Sequence, residues 1–395
     1  MRESDWQDQA YSGGLPGRSR GAFDAPLVLS VLALMAMGCI LIYDFTVVGG
    51  AVPFRDYYAR RQMGYAVMGF LCMLVVSRIN YRWLISCSPL LLLAAAALTA
   101  AAFFGSVRGV NVFPYLRWER PYLLFGSLGV NVGQLSEIAV MLFFAWRLSK
   151  KRKNSHGRIT DLFNLLLSTW VVLFMALLLF PLNLRSALIL YVTMAAILFL
   201  ADAWYAAAAM AFPLFLCLVL LRIRPEVFLP FQESLAVWMN PFSDPGGEGF
   251  YAVQSIYAIA DGGVWGVGLG RGTARYAVDN ACTGFILPAA AQELGLAGAA
   301  LILLLYLLFL SRIFRIAAGV PDRLGFYLAA AIMAHYCVNL VLCLLSWANV
   351  PIWNGSGENY LPFLSYGGSS LVLECFLMGV LLSVSRRPAG GRGMS

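Results

Sequence analysis

Charge is what this sequence has least of. Asp, Glu, Lys and Arg make up 12% of its 395 residues, where a soluble globular chain carries about one quarter. That shortage argues against a solvated surface and for an exterior that faces lipid. Histidine is nearly missing, with His156 and His335 alone, and the 8 cysteines form no CxxC pair. These two scarcities argue against a zinc or iron–sulfur site and against a disulfide framework. Cys39, Cys72, Cys87, Cys217, Cys337, Cys343 and Cys375 fall inside apolar runs and read as small apolar fillers, while Cys282 alone lies in a loop. Lysine is confined to Lys150, Lys151 and Lys153.

What the chain has instead is apolar length: 61% of its residues are hydrophobic. They gather in about ten runs long enough to cross a bilayer, near 26–46, 63–77, 83–104, 123–146, 161–181, 185–201, 204–221, 285–311, 324–346 and 361–384. An even count leaves both termini on one side. Arg18, Arg20, Arg78, Arg82, the run RLSKKRKNSHGR (147–158), Arg312, Arg315, Arg323, Arg386 and Arg387 share one set of short loops. The positive-inside rule makes those loops and both termini cytoplasmic. The expected fold is therefore an all-α polytopic membrane protein of about ten transmembrane helices, with a long extracytoplasmic loop (222–284) between the seventh and eighth. Residues 1–25 read as a disordered cytoplasmic tail, 26–385 as the transmembrane domain and 386–395 as a second tail. Ala36 to Cys39 faintly suggests a lipoprotein cleavage site, but the run continues past Cys39, so an uncleaved signal-anchor helix is the better reading.

The outer side keeps its own arginines: Arg55, Arg60, Arg61, Arg108, Arg117, Arg120, Arg185, Arg222, Arg224, Arg271 and Arg275. Topology does not need them. Arginine without lysine suits bidentate recognition of phosphate or carboxylate; ordinary loop salt bridges and headgroup contacts are the competing reading. The long loop has turn chemistry at Asn240-Pro241 and Asp244-Pro245-Gly246-Gly247, an amphipathic piece from Tyr251 to Ala260 suited to the interface, and a glycine ladder at Gly262, Gly263, Gly266, Gly268, Gly270 and Gly272. No strand precedes the ladder, which argues against a nucleotide fingerprint; glycines of this kind let backbone approach backbone or ligand closely.

At the C-terminal LPFLSYGGSS (361–370), and again in NPFSDPGGEGFYAVQSIYAIADGGVWGVGLG (240–270) and QELG (292–295), the sequence resembles the SEDS family of bacterial cell-wall synthesis, the RodA, FtsW and SpoVE group. RW (Arg117, Trp118), QLSE (134–137) and NLRSA (183–187) are weaker echoes. The resemblance implies a ten-span glycosyltransferase at the outer face of the cytoplasmic membrane. Its substrate is lipid II, a disaccharide-peptide on undecaprenyl pyrophosphate, and its usual partner is a class B penicillin-binding protein; nucleic acid is not among the implied partners. The family's Asp in a Thr-Asp-Phe step is Gly284 here, within Thr283-Gly284-Phe285. Its Asp between the fifth and sixth spans is Asn183, followed by Arg185 where a Gly is usual, and its Lys after the Ser-Glu motif is Val140.

Glycan polymerisation needs a base for the attacking sugar hydroxyl and positive charge on the departing pyrophosphate. Arginines or a divalent cation such as Mg or Mn supply the charge, and the sequence leaves the cofactor open. Asp279, five residues before Gly284, and Glu293, about two and a half turns past it, are the candidate bases. Turn formation is the alternative for Asp279, and a structural hydrogen-bonded acid the alternative for Glu293. Glu137 and Glu374, also inside spans, carry the same pair of readings. Arg117, Trp118, Arg120, Arg185 and, in the long loop, Gln254 are candidate substrate-binding residues. Arg117, Trp118 and Arg120 suit a sugar pyrophosphate at the interface, or a plain aromatic anchor. Ser365, Tyr366, Gly367, Gly368, Ser369 and Ser370 are read as bordering a polar outward cavity, with Ser365 and Ser369 on one helix face and the glycines allowing close helix packing. Three functions follow: the glycosyltransferase, serving division or cell shape; a non-catalytic regulator of a cell-wall synthase that keeps the fold; and a flippase for the lipid-linked precursor.

Overall fold

The computed structural model describes residues 24–48, 55–108, 116–119, 122–125, 128–150, 158–180, 183–201, 210–211, 235–247, 249–278, 281–347 and 360–386. Helices account for most of them. α1 (Ala25–Tyr43) ends in a π-helical turn, Asp44–Val48. α2 (Arg55–Arg78), α3 (Tyr81–Ser86) and α4 (Ser88–Arg108) follow. After a small sheet come α5 (Val132–Ser149), α6 (Arg158–Leu179) and α7 (Leu184–Leu200). The long loop contributes α8 (Phe250–Gly262) and the single turn α9 (Ala274–Ala277). α10 (Ile286–Gly319), α11 (Arg323–Trp347) and α12 (Gly368–Arg386) complete the bundle.

Among the described residues four helices are long and apolar enough to cross a membrane: Ala25–Thr46, Ile286–Gly319, Arg323–Trp347 and Gly368–Arg386. Shorter apolar helices lie at Ser88–Phe103, Thr169–Leu179 and Leu184–Leu200. Side chains left on the outside of the bundle include Leu71, Leu90, Leu93, Leu177, Phe199 and Leu307, which is the apolar exterior that lipid requires. The expected seventh span, 204–221, and both tails fall almost wholly outside the described residues.

Among the described residues the helical class has one local exception. The expected fourth span, 123–146, opens instead as strand. β1 (Leu116–Glu119), β2 (Tyr122–Phe125) and β3 (Leu128–Asn131) form an antiparallel sheet in the order β1-β2-β3. Leu116 pairs with Phe125 and Tyr122 with Asn131. The aromatic and branched residues of WERPYLLFGSLGV suit a pleated ribbon. The helix begins only where the Asn131 side chain accepts the Gln134 N–H at 3.2 Å, as an N-cap does.

The contacts gather the loops as the charge distribution grouped them. At one end Asp24 caps α1 by accepting the Leu27 N–H at 3.1 Å and also binds the Arg312 guanidinium at 3.0 Å. At the same end the Tyr81 hydroxyl donates to Asp322 at 3.0 Å, and Ser383 accepts the Tyr81 N–H. At the other end α12 enters against α1 and α2. A Cβ on Gly38 would stand 2.6 Å from the Leu364 carbonyl oxygen, so α1 passes the signature stretch at backbone contact. Within the core, Phe309, Tyr336 and Phe363 form an aromatic cluster, with Phe309–Tyr336 ring centroids 5.0 Å apart and edge-on.

α10 breaks at Gly295, whose φ is 72°. The glycine ladder closes the gap. Val267 and Gly268 N–H groups donate to the Gln292 and Glu293 carbonyls, each at 3.0 Å, and Leu296 and Ala297 donate to the Gly263 and Val264 carbonyls at 2.9 and 3.1 Å. These bonds give partners to backbone groups that the break in α10 and the irregular loop leave outside a regular ladder. Gly295 is required twice over: its φ is left-handed, and a Cβ there would lie 2.3 Å from the Val264 carbonyl oxygen.

Gly295→Ala should therefore lower the melting temperature of the detergent-solubilised protein by about 5 °C or more. Gly64→Ala is the control, since nothing stands within 4 Å of a Cβ at that α2 position; equal melting temperatures for the two variants would contradict the account of the break.

Candidate active site

Two distant stretches meet in one hydrogen-bonded junction. The Tyr366 N–H donates to the Cys282 carbonyl at 2.8 Å. Ser365 Oγ donates to the Thr283 carbonyl at 2.9 Å and accepts the Leu361 N–H at 3.0 Å. Gly284, the next residue after Thr283, is thus seated beside the LPFLSYGGSS stretch. The sequence reading put Ser365 and Ser369 on one helix face, and this is corrected: α12 begins at Gly368, and Ser365 and Tyr366 belong to the turn before it. The reason is steric and local. Phe363 has φ 65°, the one positive value at a non-glycine position among the described residues, and the Tyr306 hydroxyl holds the Pro362 carbonyl. A bulky residue in that region is strained and needs its surroundings to hold it there.

The α2 entrance completes the junction. Gln62, buried, reaches the Ser365 carbonyl through Nε2 and the Gly367 N–H through Oε1, both at 3.5 Å. Beside it the Arg61 guanidinium donates to the hydroxyls of Tyr57 and Tyr65, the latter at 3.1 Å, and lies 5.0 and 5.7 Å from their ring centroids. Tyr58 meets Tyr366 edge-on at 5.0 Å. Each phenol oxygen accepts from the guanidinium, which leaves its O–H hydrogen available as a donor. The result is a cationic, donor-rich rim beside the Ser365–Gly368 turn. Gly367 and Gly368 leave room for the rings: a Cβ would lie 2.4 Å from the Tyr360 ring and 2.7 Å from the Tyr65 ring respectively. Burial pushes the Cys282 thiol up to about 12, so at neutral pH it is a thiol and not a nucleophilic thiolate.

The other candidates are placed as follows. Glu293 is 2% exposed; its carboxylate pairs with Arg275 at 3.2 Å and accepts the Gly272 N–H at 3.2 Å. Arg275 also faces Asp44 at 3.7 Å. Its neighbour Gln292 accepts the Ala274 N–H at 2.8 Å and donates to Asp261 and Thr273. Glu293 therefore sits inside an ion-paired anchor for the loop. Arg185 is buried too, donating to Asn339 Oδ1 at 2.8 Å, to Cys343 Sγ and to the Tyr360 carbonyl; it points into the bundle. Asn183 caps α7 by accepting the Ser186 N–H at 2.9 Å. Gln254 is half-buried on α8. Ser370 is buried and offers its carbonyl to Gln134 at 3.5 Å. Ser369 Oγ is also buried. Arg117 and Trp118 lie in β1. Asp279 and Arg120 lie outside the described residues. Among the described residues no group of three or more His, Cys, Asp or Glu is placed to hold a metal ion.

Sequence reasoning passed over Gln62 and Asp44, and held Arg61 only as one of the outer arginines suited to phosphate or carboxylate. Arg61 had a signal, an arginine set among tyrosines in DYYARRQMGY. Asp44 had little, since an acid closing an apolar run is ordinary until its partner is known.

A sequence profile of the FtsW/RodA/SpoVE family, described as "Cell cycle protein", matches residues 25–389. Stage V sporulation protein E of Bacillus subtilis (strain 168) is 30% identical over 375 residues, covering 92% of this chain and 97% of that protein. The probable peptidoglycan glycosyltransferase FtsW of Geobacter metallireducens is 30% identical over 386 residues, covering 93% and 96%. The peptidoglycan glycosyltransferase RodA of Mycobacterium bovis is 29% identical, covering 95% and 82%. Among solved structures, a chain of a peptidoglycan synthase complex superposes with TM-score 0.69 at 25% identity, over 92% of this chain and 98% of that one. The rod shape determining protein RodA of Thermus thermophilus shares the fold, with TM-score 0.59 at 20% identity and coverage of 92% and 97%.

Arg275→Met should destabilise the protein by about 3 kcal/mol, because it strands two buried carboxylates without their cation. Limited proteolysis of the 263–278 loop and the melting temperature both read this; an unchanged protease pattern and melting temperature would show that the anchor is dispensable.

Proposed function

We propose, since the chain belongs to the FtsW/RodA/SpoVE family of cell cycle proteins, that it is a multi-pass protein of the bacterial cytoplasmic membrane that polymerises peptidoglycan glycan strands at the outer face. The observation that supports this most is the junction itself. The Cys282–Phe285 turn is tied to Ser365 and Tyr366, and Gln62, next to Arg61 and its two phenols, binds the same Ser365–Gly367 segment. The substrate is lipid II, and a class B penicillin-binding protein is the partner that cross-links the strands; the reaction serves division or cell shape. In the step, an acceptor sugar hydroxyl attacks the anomeric carbon of the donor. The C–O bond to undecaprenyl pyrophosphate breaks, and the hydroxyl proton passes to a base. Positive charge and hydrogen-bond donors stabilise the leaving pyrophosphate. Arg61 and its tyrosines supply those donors. Asp279, close in sequence to the vacant position, is the base.

One observation favours a second reading, a non-catalytic member that keeps the fold and regulates a synthase. Gly284 has no side chain, and the nearby acid Glu293 is already committed to Arg275 and the Gly272 N–H.

Purified full-length protein, lipid II and a class B penicillin-binding protein separate the two. The wild type should form strands, and Asp279→Ala should lose about 100-fold, the scale of a general base. Gly284→Asp should raise the rate by about tenfold or more. Strands from the wild type that survive Asp279→Ala would remove the base assignment. Strands from Gly284→Asp alone would establish the regulatory reading for the natural chain. For the rim, Arg61→Ala should cut turnover about tenfold, the effect of one charge-assisted contact, and Arg61→Lys should recover only part of it because the forked geometry is lost. Full activity in Arg61→Ala would dismiss the rim as the pyrophosphate site.

A further inference from the structure

The midsection of the bundle holds a second buried polar cluster that the junction does not use. Glu137 from α5 and Glu374 from α12 are 4% and 1% exposed, and His335 from α11 stands between them at 1%. Its Nδ1 lies 3.5 Å from Glu137 Oε2 and its Nε2 lies 3.7 Å from Glu374 Oε1. Gln134 Nε2 donates to the same Glu374 oxygen at 2.6 Å and also reaches the Ser370 carbonyl. Charge balance is the issue. Two carboxylates are buried here, and Arg185 from α7, tied to Asn339 at the edge of the cluster, brings one positive charge. Ionised groups this deep need compensation. A neutral imidazole has one N–H and would turn a lone pair toward one carboxylate; the doubly protonated ring offers an N–H to each.

We propose that His335 is a positioning residue: in its doubly protonated form it is the second cation of this cluster, bridging Glu137 and Glu374. The bridge locks α5, α11 and α12 together just below Ser370, and so holds the Ser365–Ser370 seat against the Gly284 turn. The groups facing the ring are Glu137 from α5, Arg185 from α7 and Glu374 from α12, with Tyr336 on its own helix; Tyr306 from α10, Cys343 and Tyr360 surround Glu374 and Arg185. The Asn339 amide nitrogen lies 3.3 Å from Nε2, the contact a neutral ring would use as acceptor, so the two protonation states make opposite predictions.

Sign follows from linkage. A cation stabilised by the fold adds stability while it is charged and loses it as pH rises through its titration. The melting temperature of the wild type should therefore fall between about pH 5 and about pH 9. His335→Gln should melt about 5 °C lower at the acid end, with that part of the slope removed. Val140 is three residues beyond Glu137 on α5, close enough for a lysine there to reach the carboxylate. His335→Gln combined with Val140→Lys should then recover stability without the slope. A wild-type profile that does not fall toward high pH, or one that His335→Gln reproduces, would overturn the proposal and leave a neutral ring accepting from Asn339. If His335→Gln cannot be purified, the wild-type and double-variant profiles decide in the same way.

The kinetic arm rests on the glycosyltransferase reading. Strand formation should drop about tenfold in His335→Gln through kcat rather than KM, and return in the double variant. Absence of strands from the wild type would count against that reading and leave the melting profiles to decide the role of His335.

Discussion

Two hydrogen bonds, from Ser365 Oγ and the Tyr366 amide to the carbonyls of Thr283 and Cys282, join parts of the chain 82 and 84 positions apart. Both acceptors are backbone carbonyls of the turn before α10, and both donors come from the non-helical turn before α12. A helix at either place would have consumed the Tyr366 N–H or the two carbonyls internally. The irregular backbone at this depth is therefore the condition for the junction, and it is tolerated because each segment satisfies the other. Gln62 adds the α2 entrance to the same seat, and Arg61 places its guanidinium beside it.

The rest of the bundle serves that seat by fixing what flanks it. On one side the Arg275–Glu293–Asp44 cluster ties the glycine-rich loop to the start of α10 and the end of α1. The break at Gly295 lets the loop backbone lie directly on the helix. On the other side Arg185 binds the Tyr360 carbonyl just ahead of the signature stretch, and the Glu137–His335–Glu374 cluster holds the first turns of α12. Buried charge of this kind contributes little net stability compared with an apolar core, but removing one partner is costly. Such clusters specify one arrangement of helices more than they strengthen it.

Much of the architecture was legible because lipid imposes a long-wavelength signal. Apolar runs near 26–46, 285–311, 324–346 and 361–384 coincide with helices that are long enough to span. The grouping of basic loops anticipated the pairing of Asp24 with Arg312. The misplaced start of the fourth helix came from reading apolarity without period: YLLFGSLGV is as apolar as a span but pairs as strands. Ser365 and Ser369 were assigned to one helical face because four-residue spacing is a helical signal only if the helix has begun.

Residue types and their order by themselves determined the membrane class, the signature stretch, the glycine ladder and the missing carboxylate at Gly284, since each is a property of local composition or of a short string. Only the tertiary structure decided which charges face each other. Arg61, Arg185 and Arg275 are equivalent in sequence, outer arginines near helix ends, yet one stands over tyrosines at the mouth, one is folded into the bundle and one is closed between two carboxylates. The fate of a guanidinium depends on acceptors brought in from other helices, and the energy of that encounter falls off over a few ångströms, a distance the linear chain does not encode.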